Sequence, residues 1–152
     1  MDPVCRLSNL MNNCRFGISK KVLHLFLRCI YSCDIMPGTS IGLDCRFPHR
    51  GLGVVINNNA IIGNKCVISK GVVIGGRGTG NNALEANNKL VAPIIGDNVL
   101  IGANAVVIGG IRIGNDSKIG AGAVVVKDVP DGATVIGNPG RIIKIYGKEF
   151  EE

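Results

Sequence analysis

An all-β parallel solenoid, a β-helix led by a short helical segment, is the fold this sequence predicts, and three observations predict it. From Ile95 to Pro130 the chain reads in sixes, with an aliphatic residue at Ile95, Ile101, Val107, Ile113, Ile119 and Val125. A short fixed period marks a repeat architecture, and neither the helical spacing of about 3.6 nor the strand spacing of about 2 produces it. The fifth position of each block is small or β-branched throughout: Val99, Ala105, Ile111, Ser117, Ala123 and Val129. The composition agrees, since 22 glycines, no Trp and 4% aromatics beside 46% hydrophobic residues suit a narrow interior of Ile, Val and Ala.

Each hexad is explained as one short strand and one sharp corner. The aliphatic points inward, and the corner falls on residues that tolerate positive φ, here Asp97-Asn98, Asn104 and Asn115-Asp116. Successive coils then stack as parallel strands about 4.8 Å apart.

Residues 1–33 lack the hexad. Asp2-Pro3 reads as an N-cap with Pro at the first helical position, Gly17 ends that helix, and Ser19 caps a second one. The second, KKVLHLFLRCIYS, is apolar over a wide face and too short to span a bilayer. We read it as a cover for an open solenoid end or a subunit contact, the alternative being a peripheral membrane contact through 19–32. His24 within it reads as a packed or surface residue.

The β-helix is expected over 34–146. Its first hexads start at Ile35, Ile41 and Phe47, after which the aliphatic frame resumes three residues late, at Ile56, Ile62, Ile68 and Ile74. Extra residues in a solenoid go to a corner, so 49–53 reads as an exposed bulge carrying His49. Asp34 lies a little under one coil upstream, within reach of that imidazole. Between Ile74 and the restart at Ile95 runs an Asn-rich stretch that cannot fill a prism interior, so 77–90 reads as a projecting loop. The tail, 147–152, is expected to fray.

The chemistry is narrowed by what the chain carries. Cys5, Cys14, Cys29, Cys33, Cys45 and Cys66 form no C-x-x-C pair or zinc spacing, and read as reduced thiols of a cytoplasmic protein. With only His24 and His49, no three-histidine metal site can come from one chain, and no metal is expected. The net charge of +6 fits a basic surface or a phosphate-rich ligand, with no nucleic acid as partner.

The repeat resembles the hexapeptide-repeat acyltransferases, and that resemblance implies a left-handed coil of three hexads per turn. Asp34 to Ile56, DIMPGTSIGLDCRFPHRGLGVVI, is similar in spacing to their serine acetyltransferase branch, and the likeness runs to Lys144. It implies an enzyme using acetyl-CoA, with His49 as general base and Asp34 orienting it; imidazole is the side chain suited to activating a hydroxyl near neutral pH. It places Gly75 and Gly76 along the coenzyme arm, and Ala103 and Ala121 where small side chains line the pantetheine groove. Gly137-Asn138-Pro139-Gly140-Arg141 resembles the family's closing turn near the adenine and phosphates, with Lys127, Arg141 and Lys144 as cations beside Pro139. It also implies a homotrimer, with the donor site between adjacent prisms.

The branch carries an aspartate just before the catalytic histidine and an Arg-His pair before the proline matching Pro93; here these positions are Pro48, Val91 and Ala92. Burying serine's charged ends without partners is costly. The acceptor expected is therefore a sugar hydroxyl, as in the similar O-acetyltransferases of polysaccharide biosynthesis, with serine as the alternative and Arg46 and Arg50 as the groups left to read an acceptor carboxylate. A non-catalytic β-helix scaffold is the reading from another class, and the threonine array that would favour it is absent.

Overall fold

A computed structural model describes residues 2–13, 17–77 and 91–149. Consecutive short strands fall in turn on three parallel sheets, so each coil has three sides. The first face stacks Asp34–Ile35, Val55–Ile56, Val73–Gly75, Val106–Ile108 and Val124–Val125. The second stacks Ser40–Ile41, Ile61–Ile62, Ile94–Ile95 and Arg112–Ile113. The third runs from Val67–Ile68 through Leu100–Ile101 and Lys118–Ile119 to Ala133–Ile136, with Arg46 bridged to Val67 above.

The hexad aliphatics point inward as the period requires. Ile56, Ile68, Ile74, Ile101, Val107 and Ile119 are fully buried, and Ile35, Ile62, Ile95 and Ile113 nearly or wholly so. Each such side chain contributes on the order of 1.5–3 kcal/mol of burial. The expected corners at Asn98, Asn104 and Asp116 have φ of 58°, 58° and 59°.

A polar spine runs down one corner. The backbone N–H groups of Leu43, Asn64, Asp97 and Asn115 donate to the side-chain oxygens of Asn64, Asp97, Asn115 and Asp131, at 2.9, 2.6, 2.8 and 2.8 Å. Each coil thus satisfies a backbone donor of its neighbour at a point where the sheet ladder is interrupted.

The helical segment forms two helices, α1 (Pro3–Asn13) and α2 (Gly17–Tyr31). Asp2 caps α1 as expected, its Oδ1 accepting from Val4 N at 2.9 Å, and its Oδ2 accepts from Phe47 N at 3.0 Å. Gly17 opens α2 rather than closing α1. The solenoid end is covered chiefly by α1, which buries Val4, Cys5, Ser8 and Met11 and holds Gly38 N on Asn12 Oδ1 at 2.9 Å. α2 buries only Leu27. Arg141–Ile145, expected to continue the parallel coil, instead folds back antiparallel on Ala133–Ile136, and Lys148–Glu149 of the tail pairs with it in turn; residues 150–152 lie outside the described residues. Cys14 and the loop residues 78–90 lie outside the described residues.

Candidate active site

Three residues are gained after Phe47, and there Pro48–Gly51 forms a tight four-residue turn. Within it His49 and Arg50 both take left-handed backbone, φ 56° and 58°. Left-handed backbone costs a non-glycine residue on the order of 1–2 kcal/mol, and the same φ turns the corners at Asp44, Lys65, Asn98, Asn104 and Asp116. Phe47 anchors the segment from below at 1% exposure, whereas His49 and Arg50 are exposed, as is Arg46 on the preceding strand position.

Asp34 stands at the same corner one layer away: Gly53 N donates to Ser32 O at 2.8 Å and Asp34 N to Val54 O at 2.7 Å. Its carboxylate does not bind His49, however. Oδ1 lies 2.6 Å from His24 Nε2, and Oδ2 is 3.9 Å from Arg28 Nε. Among the described residues the His49 imidazole makes no hydrogen bond. The expectation that Asp34 is free to orient His49 is thus corrected in part, because α2 lays His24 and Arg28, one turn apart, against the carboxylate. His24, read from sequence as a bystander, is the neighbour that sequence reasoning missed. The available signal was the i, i+4 pair of basic side chains on the helix just before Asp34.

The edge that carries the bulge continues down the solenoid. Gly71 N donates to Leu52 O, Asn104 N to Lys70 O and Gly122 N to Ala103 O, at 2.8, 3.0 and 2.9 Å, so Ala103 and Ala121 lie on the edge headed by His49. Gly75 and Gly76 lie at the other edge of the first face, where Gly75 pairs with Ile108. A Cβ on Gly76 would sit 2.7 Å from Val91 O, and Arg77 N donates to the same oxygen at 2.5 Å. These contacts pinch together the two chain segments flanking 78–90.

At the far end, Val124 N donates to Gly137 O at 3.0 Å and Gly140 N donates to Val124 O at 2.7 Å, docking the closing turn on the first face. Beside it a cavity of about 310 Å³ is lined by Lys127, Pro139 and Arg141, together with Asp128 and Ile142. Three of the expected coenzyme residues are therefore adjacent. Lys144 is not in that lining; it is exposed further along the strand, opposite Thr134. Among the described residues no group of three potential metal ligands exists.

The buried thiols have their own electrostatics. Burial pushes Cys5 and Cys33 up to about 11, helped by Cys45 for the first and Asp34 for the second. Hydrogen bonding between Cys45 and Cys66 raises Cys66 and lowers Cys45, with burial opposing ionisation at both. These groups are inward and play no part in the corner chemistry.

The β-helix thus presents an exposed histidine at one corner, small residues down its edge, and a cavity carrying Lys127 and Arg141 at a Gly-Pro turn. Residues 92–127 match the bacterial transferase hexapeptide (six repeats) family. The chain is 36% identical over 138 residues to the serine acetyltransferase of Helicobacter pylori, covering 91% of this chain and 76% of that protein. It belongs to the hexapeptide-repeat transferases, on their serine acetyltransferase branch. Identity to the Synechococcus elongatus serine acetyltransferase is 38% over 141 residues, 92% of this chain and 54% of that one. The crystal structure of the Neisseria gonorrhoeae serine acetyltransferase superposes with a TM-score of 0.79 at 34% identity, covering 97% of this chain and 52% of that one. The chain thus spans about half the length of several of these relatives.

Proposed function

We propose that this chain is an acetyl-CoA-dependent O-acetyltransferase in which His49 activates an acceptor hydroxyl. The observation that carries the reading is the bulge: it exposes an imidazole at the corner where Asp34 begins the first face, at the head of an edge of small residues. His49 takes the hydroxyl proton as the oxygen attacks the thioester carbonyl; the thiolate of coenzyme A leaves and takes that proton back. Backbone N–H groups are the donors available for the oxyanion. Asp34 Oδ2, which faces Arg28 Nε at 3.9 Å and makes no hydrogen bond among the described residues, is the atom that would receive the other ring N–H of His49, fixing the tautomer and supporting the imidazolium. His24 holds the opposite oxygen. Lys127 and Arg141 meet the coenzyme phosphates, with Lys144 adding charge further out. The coil winds left-handed, as its relatives' resemblance implies.

Serine is the acceptor that the names of the relatives support. A second reading, a sugar hydroxyl, is favoured by Val91 and Ala92, which are 4% and 2% exposed where the branch carries an Arg-His pair, and by Pro48 beside His49. No charged side chain at those positions would meet the amino acid's ammonium or carboxylate. Arg46 and Arg50 are the groups through which serine would be read instead. The outward residues of the first face below Asp34 are all valine, Val55, Val73, Val106 and Val124, and this stripe suits packing against further copies in a homotrimer.

The test is thiol release from acetyl-CoA with serine and with saccharide acceptors, compared as kcat/KM. Turnover with either, lost in His49→Ala, supports the reading. A preference for serine would sink the sugar alternative, its survival on removal of both Arg46 and Arg50 would sink their role in reading serine, and the absence of thiol release with every acceptor on the panel would favour a scaffold.

A further inference from the structure

We propose that α2 is a docking helix for an anionic phospholipid surface. The cover for the solenoid end is already supplied by α1, and α2 contributes Leu27 as its one fully buried side chain, backed by the partly buried Leu23 and Tyr31. Its opposite side carries a second apolar stripe in solvent. Ile18, Val22, Leu25 and Ile30 are 79%, 59%, 61% and 59% exposed, and Phe26 is 44% exposed. Ile18, Val22, Leu25 and the exposed Cys29 recur at alternating steps of four and three residues, which places them on one line of a helix. A monomeric soluble surface scatters its apolar residues; a contiguous stripe of this kind marks a contact. Phe26 also joins the stripe to a groove of about 600 Å³ between α1 and α2, walled by Leu7, Leu10 and Tyr31 with Arg6 at its rim.

The charge pattern selects the occupant. Residues 3–33 contain no Asp or Glu, while Arg6, Lys20, Lys21 and Arg28 are all positive. Lys21 and Arg28 lie together on one flank of the stripe, and pairing this helix with its copy would add like charges that only Asp34, 3.9 Å from Arg28, offsets. An anionic headgroup layer neutralises those side chains while its acyl boundary accepts the stripe. No helix among the described residues is long and apolar enough to cross a membrane, so the contact lies along the surface. The inference does not rest on the acetyl-transfer reading.

The experiment is co-sedimentation of the full chain with phosphatidylcholine vesicles, with and without about one-third phosphatidylglycerol. Binding to the anionic vesicles is expected, with Lys21→Gln weakening it about fivefold and raised salt weakening it further. Ile18→Asn with Leu25→Asn should weaken it at least about tenfold without changing the melting temperature, because neither side chain is in the core. Failure of the full chain to bind anionic vesicles would overturn the proposal, as would binding indifferent to both the charge and the apolar changes. A drop in particle mass by light scattering on Ile18→Asn with Leu25→Asn would also overturn it, since a second copy would then be the occupant. Lys21→Gln leaves the core untouched, so it decides the matter even if the double variant fails to fold.

Discussion

Replacing His49 by Ala separates chemistry from architecture, and the structure supplies both magnitudes. The side chain is exposed and makes no hydrogen bond among the described residues, so truncation opens no cavity. The left-handed backbone at φ 56° is retained, and Ala is no better suited to it than His. The stability change should therefore stay within about 0.5 kcal/mol. His49→Gly relieves the backbone strain and should stabilise by up to about 1 kcal/mol. Both variants should lose about 10²–10⁴ in kcat with acetyl-CoA binding retained, since Lys127 and Arg141 lie at the other end of the first face. Thiol release, thermal melting and coenzyme affinity on the same preparations give the answer. A fully active His49→Ala protein would place the base elsewhere, and an unfolded one would mean that the bulge is a packing element.

Other outcomes follow from the same coordinates. Gly63→Ala puts a Cβ 2.6 Å from the backbone carbonyl of Gly96, where neither coil can give way, and should cost about 3 kcal/mol in denaturant titration. Ser8 Oγ is buried without a hydrogen-bond partner among the described residues, so Ser8→Ala should raise stability by about 1 kcal/mol in the same assay. Cys5 and Cys33 are raised from 9.0 to about 11 in the fold, so their contribution is fully present below pH 9 and is lost as pH rises to about 11; melting temperature should fall through that window, and less in the Cys33→Ala variant. Arg141→Ala should raise the KM for acetyl-CoA about tenfold with kcat little changed, an effect that shrinks with added salt.

The solenoid was legible because its period is local: every aliphatic from Ile56 to Val125 in the hexad frame is inside, and the late restart after Phe47 located the bulge without any contact information. The family resemblance supplied the roles at that bulge. Illegible was how α1 and α2 divide their work, since both are amphipathic and only packing decides which covers the end. The His24–Asp34 pair was hidden for the same reason, being a contact between a helix with no register and a strand that has one. Lys148–Glu149 was not legible as a strand because it is polar and short, while the ladder of Arg141–Ile145 beside it gives even two residues their hydrogen bonds.

The polar spine has a further consequence. Its successive rungs are 21, 33, 18 and 16 residues apart in sequence, yet each joins one coil to the next. The spine counts coils, not residues. Chain length can therefore change between rungs, by a three-residue bulge that carries an imidazole or by a whole loop, while the stacking of floors is untouched. Such a scaffold keeps its invention at two corners and its memory at the third, so a new acceptor can be sampled by loop exchange without renegotiating the fold.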